Sequence, residues 1–355
     1  MRGAAPEFVR DAIDRDDPLP GSYGFAGELD DRVVRDVLGR ELVYTERDDP
    51  TVWSHDPDAL DAPSLVPAGH ARGSKGDERL WTLPDPAPVN DHAEAVAAVR
   101  SALVAAVDGA IDDETPVAFS GGVDSAAVAG RHDGPLYVAG FEGCHDVAAA
   151  ESAADAMDRP VEMVEITHDD LRRATPEVAR AIGRSNAMDV AIALPLFLVA
   201  ERVAADGYDR LAVGQGADEL FGGYAKVANY DDDRRVDAAS VREARRDTVL
   251  TLPGQLERDL RALRAAGVEP VAPLLHDDVV DAALQLPDAL LVDGDERKVA
   301  LRRAADFLPE TVSERDKKAV QYGTYVSREL DRLARQNGFK RRMGDHVSKY
   351  VDSLL

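Results

Sequence analysis

The stretch Pro116-Val117-Ala118-Phe119-Ser120-Gly121-Gly122-Val123-Asp124-Ser125-Ala126-Ala127-Val128-Ala129 decides the fold. Its first four residues form an apolar β-type run, its last five suit a helix, and a Ser-Gly-Gly-x-Asp-Ser turn joins the two. A strand that feeds a helix through such a turn aims backbone N–H groups and a helix N-terminus at one point, which is an anion site. Gly121 and Gly122 remove side chains that would hold the backbone away from phosphate oxygens. Ser120 and Ser125 bring hydroxyl donors, and Asp124 brings an oxygen for a hard cation. A lone Gly-Gly pair would read as an ordinary turn; the six-residue pattern behind a buried strand points to phosphate.

A second loop, Gly214-Gln215-Gly216-Ala217-Asp218-Glu219-Leu220-Phe221-Gly222-Gly223, follows another apolar run and again carries an aspartate. Together the loops predict a pyrophosphate clamp for ATP, with Gly214 and Gly216 against the nucleotide. Asp124 and Asp218 are the candidate Mg²⁺ ligands; helix capping is the structural alternative for either. No Walker-type lysine loop, zincin motif or nucleophile-elbow serine competes with this reading.

From Asp91 onward, strand candidates Val117 to Phe119, Leu136 to Phe141, Val161 to Ile166 and Leu211 to Val213 alternate with helices such as His145 to Met157 and Asp169 to Ile182. The strands read as apolar enough to be buried on both faces, so the fold class is α/β with a parallel sheet. Ligands of such sheets sit beyond the carboxyl ends of the strands, where both loops, Gly140 and Phe141 fall. The last two are candidates for contact with adenine, with a core role as the alternative for Phe141. Beyond Tyr224 the pattern turns helical, over Arg242 to Arg246, Leu256 to Ala265, Asp277 to Leu284 and Lys298 to Leu308, and Asp231 to Arg235 reads as a solvated loop.

Residues 1–88 differ, being rich in Pro, Gly and Asp with short β-type pieces at Tyr23 to Gly27 and Glu41 to Tyr44. Pro84, Pro86 and Pro88 then form a stiff connection, which places a boundary between a small β-containing unit, 1–88, and a nucleotide domain, 89–355.

Composition narrows the partners. Asp and Glu total 67 against 42 Lys and Arg, of which seven are lysines, for a net charge of −25. A lysine-poor acidic surface suits a halophile's cytosol, where salt screens self-repulsion. The same charge argues against nucleic acid or anionic membrane as partners. The one cysteine, Cys144, excludes an intrachain disulfide and fits a reducing cytoplasm; packing is the preferred reading of its thiol over a nucleophile. The most apolar stretch, Val190 to Ala200, contains Pro195 and is shorter than the roughly 20 residues of a membrane helix. His276, beside Asp277 and Asp278, reads as a surface or capping residue.

The Ser-Gly-Gly-x-Asp-Ser loop resembles that of the N-type ATP pyrophosphatases, of the adenine nucleotide alpha hydrolase-like (PP-loop) fold, and the second loop narrows the likeness to the synthetase domain of asparagine synthetases and relatives such as β-lactam synthetase. The resemblance covers about Asp91 to Leu330 and extends to Lys298-Val299-Ala300-Leu301-Arg302 before Leu308-Pro309, and to Arg315-Asp316-Lys317. It implies an AMP-forming ligase that adenylates a carboxylate, with aspartate the leading candidate, and couples it to ammonia or another amine. It also implies that Asp124 and Asp218 hold Mg²⁺, that Lys317 neutralises charge on pyrophosphate and adenylate, and that Lys298 lies near phosphate, a surface ion pair being the alternative.

The chain departs from that family at three places. A full-length asparagine synthetase begins its glutaminase domain with a cysteine nucleophile, whereas Arg2 follows Met1 here, so the N-terminal unit reads as a shortened, inactive glutaminase remnant. Ammonia would then arrive free or from a separate glutaminase. Gln215 stands where asparagine synthetases place a glutamate, and an amide is no general base. Finally, Gly267 to His276 has Val271 in place of the family's arginine, which loosens the assignment of aspartate. An ATP-binding regulatory protein and a β-lactam synthetase-like ligase are the alternatives. Transfer-RNA thiolation would need a basic surface and a cysteine pair that are missing.

Overall fold

The computed structural model describes residues 1–230, 238–315 and 320–355, with the side chains of Val320 and Gln321 left aside. Asp231 to Arg235 and Lys317 thus lie outside the described residues.

The N-terminal part starts with helix α1 (Pro6–Asp14), which the sequence reading did not anticipate, and continues in seven short strands: β1 (Ala26–Leu29), β2 (Arg32–Arg35), β3 (Tyr44–Glu46), β4 (Trp53–Ser54), β5 (Pro63–Leu65), β6 (His70–Gly73) and β7 (Gly76–Arg79). They form two antiparallel sheets, in the orders β1-β2-β6-β7 and β4-β3-β5. Asp30 and Asp31 turn β1 into β2 with φ of 48° and 63°, the left-handed pair of a two-residue hairpin that aspartate tolerates. Ala26, Val33, Val43 and Val66 make a small core, against which Trp53 packs.

After α2 (His92–Ala110) come β8 (Val117–Ala118), α3 (Val123–Ala129), β9 (Leu136–Gly140), α4 (His145–Ala156), β10 (Val161–Glu165), α5 (His168–Ile182), α6 (Ala187–Ala205) and β11 (Arg210–Ala212). Then follow α7 (Ala217–Leu220), α8 (Ala225–Ala228), α9 (Val241–Val249), α10 (Leu252–Ala265), β12 (Glu269–Val271), α11 (Asp277–Leu284), α12 (Asp288–Leu291), the hairpin β13 (Val292–Asp293) and β14 (Glu296–Arg297), and α13 (Val299–Ala304). Helices Val326–Gln336 and His346–Asp352 close the chain.

The larger sheet is parallel, in the order β10-β9-β8-β11-β12, so the fold is the expected α/β arrangement of PP-loop type. The chain runs outward from β8 through β9 to β10, then returns to the other side of β8 with β11 and β12. That reversal puts the switch point of the sheet between β8 and β11, and each glycine loop follows one of these two strands. Two expectations about the sheet fail. β10 is an edge strand whose Glu162, Met163 and Glu165 are exposed, so it is not buried on both faces. β12 was not foreseen; Pro270 within it is tolerated because the strand lies at the other edge. α6 has no polar face, packs on β9 and α5, and buries Pro195. Among the described residues no helix is long and apolar enough to cross a membrane.

By packing, the chain forms two compact units. One contains Met1–Ala106, Gln215–Leu256 and Ala272–Ala304; the other contains Val107–Gly214, Glu257–Val271 and Ala305–Leu355 and holds the parallel sheet. In the first, α9 grips the proline connection through its arginines: Arg246 donates to the Leu83 and Pro84 carbonyls at 2.7 and 2.6 Å, and Arg242 to the Pro86 carbonyl at 2.7 Å. Between them Arg245 is buried and donates to the Ala283 carbonyl at 2.9 Å. Burial, then the charges of Arg242 and Arg246, bring its pKa down to about 10.

In the second unit Asp331 gathers Arg341, Arg335 and His346 at 2.8 to 2.9 Å between the last two helices. The Arg341 hydrogen bond, helped by His346 and Arg335 and opposed by burial, holds the Asp331 carboxyl far below the ordinary carboxylate range. A depressed folded pKa stabilises the fold above the unfolded value and loses that contribution as pH falls through the range below it. Asp331→Asn is therefore expected to cost about 1 kcal/mol near neutral pH, since Arg341 is exposed, with wild type and variant converging in acid below about pH 4. Denaturant melts at several pH values check this; a constant difference would contradict it.

Candidate active site

The first loop lies wholly within the sheet unit. β8 runs into it with the Phe119 N–H bonded to the Tyr137 carbonyl at 2.7 Å. Gly121 has φ of +71°, and a Cβ there would overlap the Ala149 carbonyl, so only glycine lets α4 approach this closely. Gly122 precedes α3 without any side-chain cap on the helix. Ser125 is buried and its hydroxyl is used inside the loop: it accepts from the Ser120 N–H at 3.2 Å and donates to the Gly122 carbonyl at 3.2 Å. It braces the turn, while Ser120 and Asp124 are half-buried at its surface. Gly214, at the end of β11, packs with its Cα face against the Asp124 carbonyl carbon and the Ser125 nitrogen, where a Cβ would stand 2.8 and 2.9 Å away. The start of the second loop therefore leans on the first.

Gly140 ends β9, and a Cβ there would overlap the Cys144 sulfur, so this glycine has a packing reason of its own. Cys144 caps α4, and burial pushes its thiol pKa up, against the reactive reading. Phe141 is buried, stands 5.5 Å from the His168 ring and donates its N–H to the Thr324 carbonyl. Arg315 donates to the Ala149 carbonyl and to Ser152 Oγ at 2.7 Å. It thus holds the same stretch of α4 that Gly121 abuts, immediately before the undescribed Lys317.

The second loop belongs to the other unit from Gln215 onward. Gln215 is half-buried. Gly216, φ +91°, packs on Leu275 and opens α7, one turn that presents Asp218 and Glu219. Asp218 Oδ1 meets Lys298 Nζ at 2.6 Å. Lys298 is 9 % exposed and has φ of +60°, a left-handed conformation that costs a non-glycine residue about 1 kcal/mol or more. Its N–H bonds the Leu291 carbonyl at 2.8 Å as the β13–β14 hairpin closes and α13 begins, which aims the side chain at the loop. In this pair Lys298 is the buried partner and Asp218 the half-exposed one. A Cβ at Gly223 would overlap both Asp218 Oδ1 and the Lys298 side chain, so Gly223 is the floor of that pair.

Two neighbours, Tyr224 and Arg297, escaped the sequence reading. Glu219, which the motif contains without revealing its setting, is buried and accepts a short hydrogen bond from the Tyr224 hydroxyl. Burial, and next Asp218, push the Glu219 carboxyl up; burial and Glu219 push the Tyr224 phenol up. Arg297 donates to the Gly223 carbonyl at 2.6 Å. The Gly-Gly-Tyr sequence after the acidic pair was the one available hint. His276 caps α11 through Nδ1, as its sequence position suggested. Asp218 brings carboxylate oxygens, the hard donor type that Mg²⁺ takes, and one of them is already paired with the Lys298 ammonium.

A family model described as asparagine synthase matches residues 98–242 and 228–352. A putative glutamine-hydrolysing asparagine synthetase of Methanocaldococcus jannaschii is 26% identical over 279 residues, 68% of this chain and 51% of that protein. The nodule asparagine synthetase of Pisum sativum is 25% identical over 96% of the chain and 62% of its own length. Asparagine synthetase 1 of Arabidopsis thaliana is 26% identical over 89% and 60%. The chain thus spans half to about three fifths of the length of these relatives.

Proposed function

The chain belongs to the asparagine synthase family, and from that premise we propose that it is an ATP-dependent, AMP-forming amide ligase acting on a small carboxylate, with aspartate the first candidate, and ammonia or another amine. The observation that carries this reading is the intact Ser120 to Ser125 loop at the switch point of the sheet, with the first glycine of the second loop leaning on it. In this reading the backbone of Ser120 to Gly122 receives phosphate oxygens, and the substrate carboxylate attacks the α-phosphorus. Pyrophosphate leaves, and the amine then attacks the acyl-adenylate carbonyl and releases AMP. Mg²⁺, when held by the oxygens of Asp124 and Asp218, neutralises charge on the phosphates. Lys298 adds a fixed ammonium beside Asp218, and Lys317 a second cation; positioning and charge neutralisation supply most of the acceleration.

Gln215 orients rather than deprotonates, because its amide has no basic lone pair to offer an ammonium proton. That substitution favours a second reading, a protein that binds ATP and regulates without ligation. Pyrophosphate release from ATP and Mg²⁺ in concentrated KCl, screened over aspartate and other acids with ammonium or glutamine as nitrogen source, separates the two. The ligase reading expects release with one acid when ammonium is the nitrogen source. Tight ATP binding with no release for any acid would favour the regulator. A net charge of −25 leaves nucleic acid and anionic membrane outside the proposal, which takes the cytoplasm as the setting.

A further inference from the structure

We propose that the N-terminal segment is a positioning element for the second glycine loop, acting through Arg40 and Leu275. That the loop it steadies is catalytic rests on the ligase reading; that it steadies the loop does not.

Arg40 lies between β2 and β3, and its side chain is 3% exposed. Its Nε meets Asp36 Oδ1 at 2.8 Å, and one terminal nitrogen meets Asp277 Oδ1 at 2.6 Å and the Leu275 carbonyl at 2.7 Å. The other oxygen of Asp277 accepts from the Ser22 N–H at 2.7 Å, the Ser22 hydroxyl at 3.0 Å and the Gly21 N–H at 3.1 Å. Asp36 also takes the N–H groups of Leu38 and Arg40, at 3.0 and 2.9 Å. Two buried carboxylates around one guanidinium, each held on both oxygens, form a charge-assisted ring with little freedom to shift. Every member except Asp277 and Leu275 comes from residues 21–40, and the ring joins positions more than 230 apart in sequence.

The ring fixes a carbonyl that matters to the loop. Leu275 ends the 3-10 turn Pro273–Leu275, and its side chain occupies the space where any Cβ on Gly216 would lie. Gly216 precedes the single turn α7, and the N–H groups of Leu220, Phe221 and Gly223 bond back to the carbonyls of Gly216, Ala217 and Asp218. A one-turn helix holds itself weakly, so its position follows from what it rests on. Leu275 is that floor, and Arg40 holds Leu275. Residues 1–106, the loop from Gln215 and the turn from Ala272 also pack as one compact unit. Arg40 itself is a positioning residue.

The test is amide hydrogen exchange on the full chain at Leu220, Phe221 and Gly223, for wild type, Arg40→Met, Leu275→Ala and a control, Arg10→Met. The control breaks the exposed Arg10–Asp30 pair of the same N-terminal part. Arg40→Met and Leu275→Ala are expected to speed exchange at these three amides at least tenfold beyond any change in the parallel sheet, with Arg10→Met unchanged. In pyrophosphate release with ATP, Mg²⁺ and aspartate, both are expected to lower kcat about tenfold and leave KM for ATP within twofold. Loop exchange at the wild-type rate, or a rise uniform over the chain, would overturn the proposal. If Arg40→Met does not fold, Arg40→Lys decides, because a single ammonium keeps the buried charge but cannot bond Asp36, Asp277 and the Leu275 carbonyl as the guanidinium does. If wild type releases no pyrophosphate, the ligase reading falls and the exchange comparison still decides this one.

Discussion

Asp218→Ala is expected to reduce pyrophosphate release by about a hundredfold or more while the protein stays folded, the scale seen when one preorganised electrostatic group is removed from a reacting site. Asp218 is the half-exposed member of the pair with Lys298, so the substitution deletes the oxygens proposed for Mg²⁺, one of which lies 2.6 Å from a buried ammonium. The left-handed backbone at Lys298 accompanies the turn that brings its ammonium to Asp218. Asp218→Asn keeps the shape and one neutral oxygen, and an intermediate loss is expected. Steady-state pyrophosphate release at saturating Mg²⁺, with the melting temperature as a check on folding, measures the effect. Activity within threefold of wild type would remove Asp218 from the machinery.

Gly121→Ala should abolish ATP binding and destabilise the sheet unit by about 2–5 kcal/mol, combining a left-handed alanine with an overpacked contact. The new methyl would overlap the Ala149 carbonyl, backbone of α4 that Arg315 also holds and that has no easy way to yield. Gly207→Ala makes the comparison sharp, since Gly207 has φ of +97° with nothing within 4 Å of its Cβ position. Its cost should be the conformational term alone, about 1–2 kcal/mol, with ATP binding retained. Melts and calorimetric ATP titration of both variants separate strain from collision. Equal costs, or ATP binding preserved in Gly121→Ala, would show that the loop is not packed as described.

The parallel sheet and the first loop were legible in the sequence because their causes are local. Apolar runs ending in Ser-Gly-Gly-x-Asp-Ser carry strand, turn and helix start within fourteen residues. β10 misled because Val161, Met163 and Val164 look buried in one dimension, while exposure is decided by which strand ends up at the edge. β12 was hidden by Pro270, which argues against a strand until the edge position is known. At the candidate site the residue types were readable and the contacts were not. Nothing local tells that Lys298 bends left-handed to reach Asp218, that Tyr224 serves Glu219, or that Gly140 makes room for Cys144. Arg40 was out of reach altogether, since a buried arginine becomes intelligible only with partners brought from the far end of the sequence.

The central claim is that a carboxylate is activated by adenylation, and isotope transfer tests it most directly. The acid selected by the pyrophosphate screen, labelled with ¹⁸O in its carboxylate, is turned over with ATP, Mg²⁺ and ammonium, and the nucleotide product is weighed by mass spectrometry. Attack of the carboxylate on the α-phosphorus predicts AMP carrying one ¹⁸O for each amide formed, with unlabelled pyrophosphate. Formation of ADP with label in inorganic phosphate, or AMP without label, would contradict the account.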